Sequence, residues 1–133
     1  MAVIVYEDIG LANSSMGPKV MAAINSALML GLPEARIPLS AVVIEMSLSP
    51  KSNSAEMAID TALDIVSRTN SGNVPNHIKT SSTTYKYPHD YENHYVSQQY
   101  LPDDLRGSIF YHPGPNKTEQ AAAEYWKKIK GMK

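Results

Sequence analysis

The 133-residue chain has a net charge of −1, with 43% hydrophobic and 19% charged residues. That suits one domain with a buried core and gives no general basic character for holding nucleic acid. It has no cysteine, which excludes a disulfide scaffold, a thiolate zinc site and a cysteine nucleophile and is compatible with a reducing cytosol.

The opening, MAVIVYEDIG, has no basic start and meets acid at Glu7 and Asp8, so it does not read as a signal peptide. Apolar runs of a few residues fall far short of the ~20 that a membrane span needs. A soluble, intracellular chain with a single domain over 1–133 is expected: a helical core over about 1–70, an irregular excursion over about 71–115 and a final helix over about 116–130.

In chain order, Asn13, Ser14 and Ser15 offer N-caps, and Pro18 fits a first helical turn, where its missing N–H costs nothing. Met16, Val20, Ile24, Ala27 and Leu28 recur at helical spacing, and Gly31 closes the helix. Pro33-Glu34 opens a second helix with the stripe Ile37, Ala41, Ile44 and Leu48, broadened by Val42, Val43 and Met46. Apolar over most of its circumference, it is predicted to be central to a bundle. Pro38 moves its start by up to a turn.

After Pro50, Asn53 and Glu56 have the spacing of a capping box. The third helix then carries Ala55, Ile59, Ala62, Leu63 and Val66 on one face and Asp60, Asp64 and Arg68 on the other. Asn70-Ser71-Gly72-Asn73 stops it. Three amphipathic helices joined by short turns predict an all-α bundle.

Residues 71–115 hold six of the eight tyrosines and all four histidines, with no sustained period. Tyrosine is a large, rigid contact residue, so this stretch is read as an ordered excursion along the bundle, with a helical turn near Asp103–Arg106. Asn116 and Glu119 repeat the capping pattern before a final helix striped by Ala122, Tyr125, Trp126 and Ile129. Charge is uneven. Residues 1–70 hold 4 basic and 7 acidic side chains, and residues 71–133 hold 8 and 6. Lys127, Lys128, Lys130 and Lys133 crowd the end, where they suit the helix dipole.

The chemistry-bearing residues give little sign of catalysis. His89, Asp90, Glu92 and His94, with the distant His77 and His112, suggest metal, but His89 and His94 lie five apart, not at the four-residue step of a metal-binding helix. Gly114-Pro115-Asn116-Lys117-Thr118 imitates the end of a phosphate loop, yet Asn116 and Tyr111 stand where that motif needs glycine. No nucleophile elbow of the Gly-x-Ser-x-Gly type is present. Lys51-Ser52-Asn53 is the most pointed polar cluster, either a helix cap or a grip on a partner's carboxylate or phosphate. Tyr85, Tyr87, Tyr91, Tyr95, Tyr100 and Tyr111 could stack on bases. With only Lys79 and Lys86 near most of them, packing or subunit contact is the better reading.

Six blocks occur in order: Tyr6-Glu7-Asp8-Ile9-Gly10, Gly31-Leu32-Pro33-Glu34, Ser49-Pro50-Lys51-Ser52-Asn53, Val74-Pro75-Asn76-His77, Tyr85-Lys86-Tyr87-Pro88-His89-Asp90 and Gln98-Gln99-Tyr100-Leu101-Pro102. Together they resemble the C-terminal region of the RarA/MgsA family of replication-associated AAA+ ATPases, which includes the Werner-helicase-interacting protein. The resemblance spans nearly the whole chain.

It implies an all-α domain like the clamp-loader oligomerisation domain, assembling subunits into a homo-tetramer. The family's full-length protein is a DNA-dependent ATPase at stalled or gapped forks, cytoplasmic and nucleoid-associated, with DNA and single-stranded DNA-binding protein as partners. ATP and magnesium belong to an ATPase domain absent from this chain, so neither catalysis nor a cofactor is expected here. Met1 is expected just inside a helix that starts earlier.

The interface or partner-binding residues expected are Lys51, Ser52, Asn53, Tyr87, His89, Asp90, Gln98, Gln99 and Tyr100. Two departures stand out. The stretch Lys79–Thr84 is shorter than the family's, and Lys117-Thr118-Glu119 replaces its Gly-x-Glu. A monomeric module gripping DNA or the single-strand-binding protein through Lys51 and the C-terminal lysines is the alternative.

Overall fold

Residues 2–13 form three successive helical turns of different pitch, with a break in the backbone at Gly10. In the computed structural model, which describes residues 1–69 and 72–131, α1 (Ala2–Ile4) widens into a π-helical turn over Val5–Ile9 and tightens into a 3₁₀ turn over Gly10–Asn13. The helix changes pitch where Gly10 takes φ +47°, a region that L side chains rarely adopt. A Cβ there would also lie 2.5 Å from the Ser52 carbonyl oxygen. The Ser52 amide, in turn, donates to the Asp8 carbonyl at 2.7 Å. Two of the sequence blocks, Glu7-Asp8-Ile9-Gly10 and Pro50-Lys51-Ser52-Asn53, are therefore two sides of one backbone contact.

α2 (Met16–Leu30) and α3 (Arg36–Leu48) follow. Pro18 and Pro38 each take the third helical position of their helix, inside the first turn, where the N–H has no intrahelical acceptor. α3 thus starts at Arg36, later than Pro33-Glu34. Gly31, at φ +68°, closes α2, with its amide bonded to the Ala27 carbonyl at 3.0 Å. The hydrophobic core is formed by Val5, Ile9, Met16, Val20, Val42 and Met46, joined by Ala23, with Ile24 packed against it. It lies between the first segment, α2 and α3.

α4 (Ser54–Arg68) and α5 (Lys117–Ile129) attach to the same opening segment from outside this core. The described part of the excursion carries 3₁₀ turns at Asn76–Ile78, Pro88–Asp90, Glu92–His94 and Asp103–Leu105. The last of these matches the turn read from sequence. Leu105 is its buried anchor. The described residues are all helix, turn and irregular chain, with no strand, and none of their helices is long and apolar enough to cross a membrane.

Several local expectations need correction. The stripe Ile37, Ala41, Ile44 and Leu48 is the open face of α3; Val42 and Met46, on the other side, enter the core. α3 is therefore peripheral on one side rather than central. The apolar stripe of α2 buries through Met16 and Val20, but Leu28 is exposed. On α4, Ile59, Leu63 and Val66 are all more than half exposed, and the buried side chain of this helix is Ser54. The Asn53–Glu56 capping box does not form. Asn53 makes no side-chain cap and sits at φ −99°, ψ 17°, while the Ser54 amide leans on the Ser52 hydroxyl at 3.4 Å. Asp64 and Arg68 do pair, at 2.7 Å. Asn70 and Ser71 of the predicted stop, and Lys133 of the basic end, lie outside the described residues.

Candidate functional site

The Asn116–Glu119 pattern produces both a cap and something larger. Asn116 takes the extended conformation of an N-cap, and its side chain accepts from the Glu119 amide at 3.0 Å. The Glu119 carboxylate, only 2% exposed, then collects donors from two separate stretches, the start of α4 and residues 111–116. The Ser54 hydroxyl and the Asn116 amide donate to it, as do the Tyr111 phenol at 2.8 Å and the Gly114 N–H at 3.1 Å. The Ser52 hydroxyl continues the network by donating to Ser54 at 3.1 Å. Beside it, Thr118 reaches the Ala12 carbonyl at 3.2 Å.

Burial alone would raise the pKa of Glu119. The hydrogen bonds from Ser52, Ser54, Asn116 and Gly114 outweigh it and lower the pKa from 4.5 to about 2. Burial, followed by the carboxylate beside it, pushes the Tyr111 phenol up. Gly114 must be glycine, because a Cβ there would lie 2.8 Å from the Glu119 carboxylate and 2.9 Å from the Ser52 hydroxyl.

This joint decides the phosphate-loop question. The Gly114 N–H, the donor such a loop would aim at a phosphate, is turned onto the protein's own carboxylate, and Pro115 has none. The residues present do not fit a nucleotide here.

The nine candidate residues divide into separate groups. Lys51, Ser52 and Asn53 line a 370 Å³ pocket with Phe110, His112 and Pro115. Lys51 is committed to the end of α3, donating to the Met46 carbonyl at 2.7 Å and the Ser49 carbonyl at 3.1 Å. That is C-terminal capping by a cation. Tyr87 and His89 meet as tilted rings at 5.0 Å, and His89 meets His94 the same way at 4.9 Å; Asp90 is exposed at the end of the same turn. Gln98 and Tyr100 form a third group. The Gln98 amide donates to the Lys86 carbonyl at 2.7 Å and to the Tyr100 phenol at 2.8 Å.

Gln99 faces another way. Its amide donates to the Leu101 carbonyl and to Asp103, both at 2.9 Å. The Gln99 and Arg106 bonds hold the Asp103 carboxyl below the ordinary aspartate value. His77 contacts the Gln99 carbonyl at 2.7 Å. Among the described residues, no three of His, Asp and Glu converge as a metal set.

Sequence reasoning missed the Glu119 network and a 520 Å³ groove in which Trp126, Tyr95 and Lys130 join His94, Gln98 and Tyr100. Trp126 meets Tyr95 edge-on at 6.2 Å, and the Lys130 ammonium lies 5.8 Å from its ring centre. The signal was the exposed aromatic-and-lysine end of the final helix.

The sequence profile of the MgsA AAA+ ATPase C-terminal region matches residues 1–130. The chain belongs to that family. It is 46% identical over 140 aligned positions to replication-associated recombination protein A of Bacillus subtilis (strain 168), covering 97% of this chain and 33% of the relative. It is 31% identical over 133 positions to an AAA domain-containing protein of Mycobacterium tuberculosis, covering 92% and 29%. Replication-associated recombination protein A of Haemophilus influenzae matches at 27% over 121 positions, covering 83% and 27%.

The chain thus spans about a third of the length of the curated relatives it matches. The 140 aligned positions exceed the chain's own 133 residues, so the Bacillus protein has residues within the matched span that this chain lacks. The Gly10–Ser52 contact and the Lys51 cap give two of the diagnostic sequence blocks a structural reason.

Proposed function

We propose that this chain is a non-catalytic assembly domain of a replication-associated recombination ATPase, joining copies into a homo-tetramer. One observation carries the reading: the chain exposes 9754 Å², whereas a compact 14.6 kDa monomer exposes about 6,900 Å². The excess exceeds the ~800 Å² that each partner gives to a standard interface. Much of it is apolar, on α3 (Ile37, Ile44, Leu48) and α4 (Ile59, Leu63, Val66). Such faces mark interaction surfaces.

In this reading, ATP and magnesium are handled by a region outside these 133 residues. The whole protein works in the cytoplasm, at the nucleoid, with DNA and single-stranded DNA-binding protein as partners. Light scattering after size exclusion, over a concentration series of the full chain, tests it. A stable dimer or tetramer is the expected result; a monomer at every concentration overturns it. Hydrolysis of ATP by the chain, abolished by Lys117→Ala, would overturn the non-catalytic part.

The second reading, a monomeric binding module, is favoured by the Trp126–Tyr95–Lys130 groove, whose aromatic rings and cation suit a nucleic-acid strand. Lys51, occupied by carbonyls, no longer supports it. A steep loss of DNA affinity with salt would bring this reading forward.

A further inference from the structure

A 480 Å³ groove runs between α1 and α4, floored by Ala2, Val3, Tyr6, Ala55 and Ile59 and flanked by Glu7 and Glu56. Val3, Tyr6 and Ile59 are 69%, 58% and 56% exposed, so the floor is apolar and open. No lysine or arginine lines it. Asp8 and Asp60 stand close enough to act on Glu56, whose carboxyl is pushed up by desolvation, then by Glu7, Asp60 and Asp8. Carboxylates crowded round an apolar floor repel one another until a cation sits among them.

The same chain carries the matching shape. α5 exposes Ala121 and Tyr125, the latter at 61%, in line with Lys128 at helical spacing. Lys127 and Lys130 sit in the same final turn. Glu119 is consumed at the joint, leaving Glu124 as the exposed carboxylate of this helix. It is a basic amphipathic helix with its outer face uncovered, and helix-in-groove docking needs an apolar anchor flanked by complementary charge.

The geometry points to α5 of a second copy as the occupant of the α1/α4 groove: Tyr125 enters between Tyr6 and Ile59, and Lys127, Lys128 and Lys130 meet Glu7, Glu56 and Asp60. This rests on the self-association proposed above and names the face that does it. Groove and helix are different patches. Copies therefore pair either reciprocally, as a two-fold dimer, or head to tail around a closed ring.

Two variants of the full chain test it: Glu56→Lys with Asp60→Lys, and Lys127→Glu with Lys128→Glu, all on exposed or half-exposed positions. Each alone is expected to weaken self-association about tenfold or more, and mixing the two to restore it within about threefold. Mixed assembly also shows that both variants are folded. Because the sequence has no cysteine, Ile59→Cys on one copy and Tyr125→Cys on another should form a disulfide-linked pair only in the mixture. Self-association that ignores both reversals overturns this docking mode and leaves the assembly reading intact. A wild-type monomer removes the assembly reading itself. Capture of Ile59→Cys by a part of the protein outside residues 1–133 also overturns the inference.

Discussion

α2 and α3 are held together by hydrocarbon, whereas α5 is held by a carboxylate. Met16 and Val20 are wholly buried against Val42 and Met46, so that pair draws on the hydrophobic effect and close packing. α5 buries one charged side chain, Glu119, and leaves Tyr125 and Trp126 about half exposed or more. The helices with the most diffuse apolar pattern close the core, and α4 and α5, whose faces are most cleanly separated, keep theirs open. An amphipathic face therefore does not by itself say that the partner lies in the same chain. Here α4 and α5, fixed by polar bonds, leave their apolar faces open, and α3, packed through Val42 and Met46, leaves a second face open through Ile37, Ile44 and Leu48.

The comparison can be broken first at Glu119. Glu119→Ala leaves Ser54, Tyr111, Asn116 and the Gly114 N–H without their acceptor and should cost about 4 kcal/mol in urea unfolding at neutral pH. Met16→Ala, on the hydrocarbon side, should cost about 3 kcal/mol.

The two then separate with pH. Glu119 has a depressed folded-state pKa of about 2, so its contribution of about 3 kcal/mol is full above the unfolded value near 4.5 and is lost as pH falls towards 2. Roughly half is gone by about pH 3. A Glu119→Gln chain should therefore lose less stability than wild type between pH 7 and pH 3, while the cost of Met16→Ala stays nearly constant. Equal pH dependence of wild type and Glu119→Gln would show that the carboxylate does not hold α5.

Smaller effects sharpen the contrast. Lys51→Met removes two bonds to the end of α3 and should cost about 1–2 kcal/mol in thermal unfolding, with no change in affinity for a DNA strand. Asp64→Asn breaks the exposed pair with Arg68 and should shift stability by no more than about 0.5 kcal/mol.

The same contrast explains what could be read in advance. Helices α2 to α5 and their order were legible, because proline, glycine and apolar spacing act locally. The facing of α3 was not: with Ile37, Ile44 and Leu48 on one side and Val42 and Met46 on the other, the helix carries no phase that picks one. Asn53-x-x-Glu56 and Asn116-x-x-Glu119 are the same pattern, yet only the second caps, because Asn116 has the extended backbone that turns an N-cap side chain onto the N3 amide, whereas Asn53, at ψ 17°, does not. The local half of Glu119 could be read in the sequence. Its larger use depends on Ser54, 65 residues away, and no spacing rule reaches that far. Among the candidate residues, Lys51 and Ser52 bond to the chain's own carbonyls and hydroxyls.

The joint at Glu119 also sets an order of events during synthesis. The opening segment, α2 and α3 can pack as soon as residue 46 has emerged. The carboxylate that must meet Ser54 emerges 65 residues after that serine, on the order of several seconds at ordinary translation speeds. Until then α4 has no tie to α5, and the acidic groove is displayed without its basic counterpart. A chain stalled before residue 119 cannot offer both surfaces. In the proposed assembly, copies would therefore join only once α5 has been made.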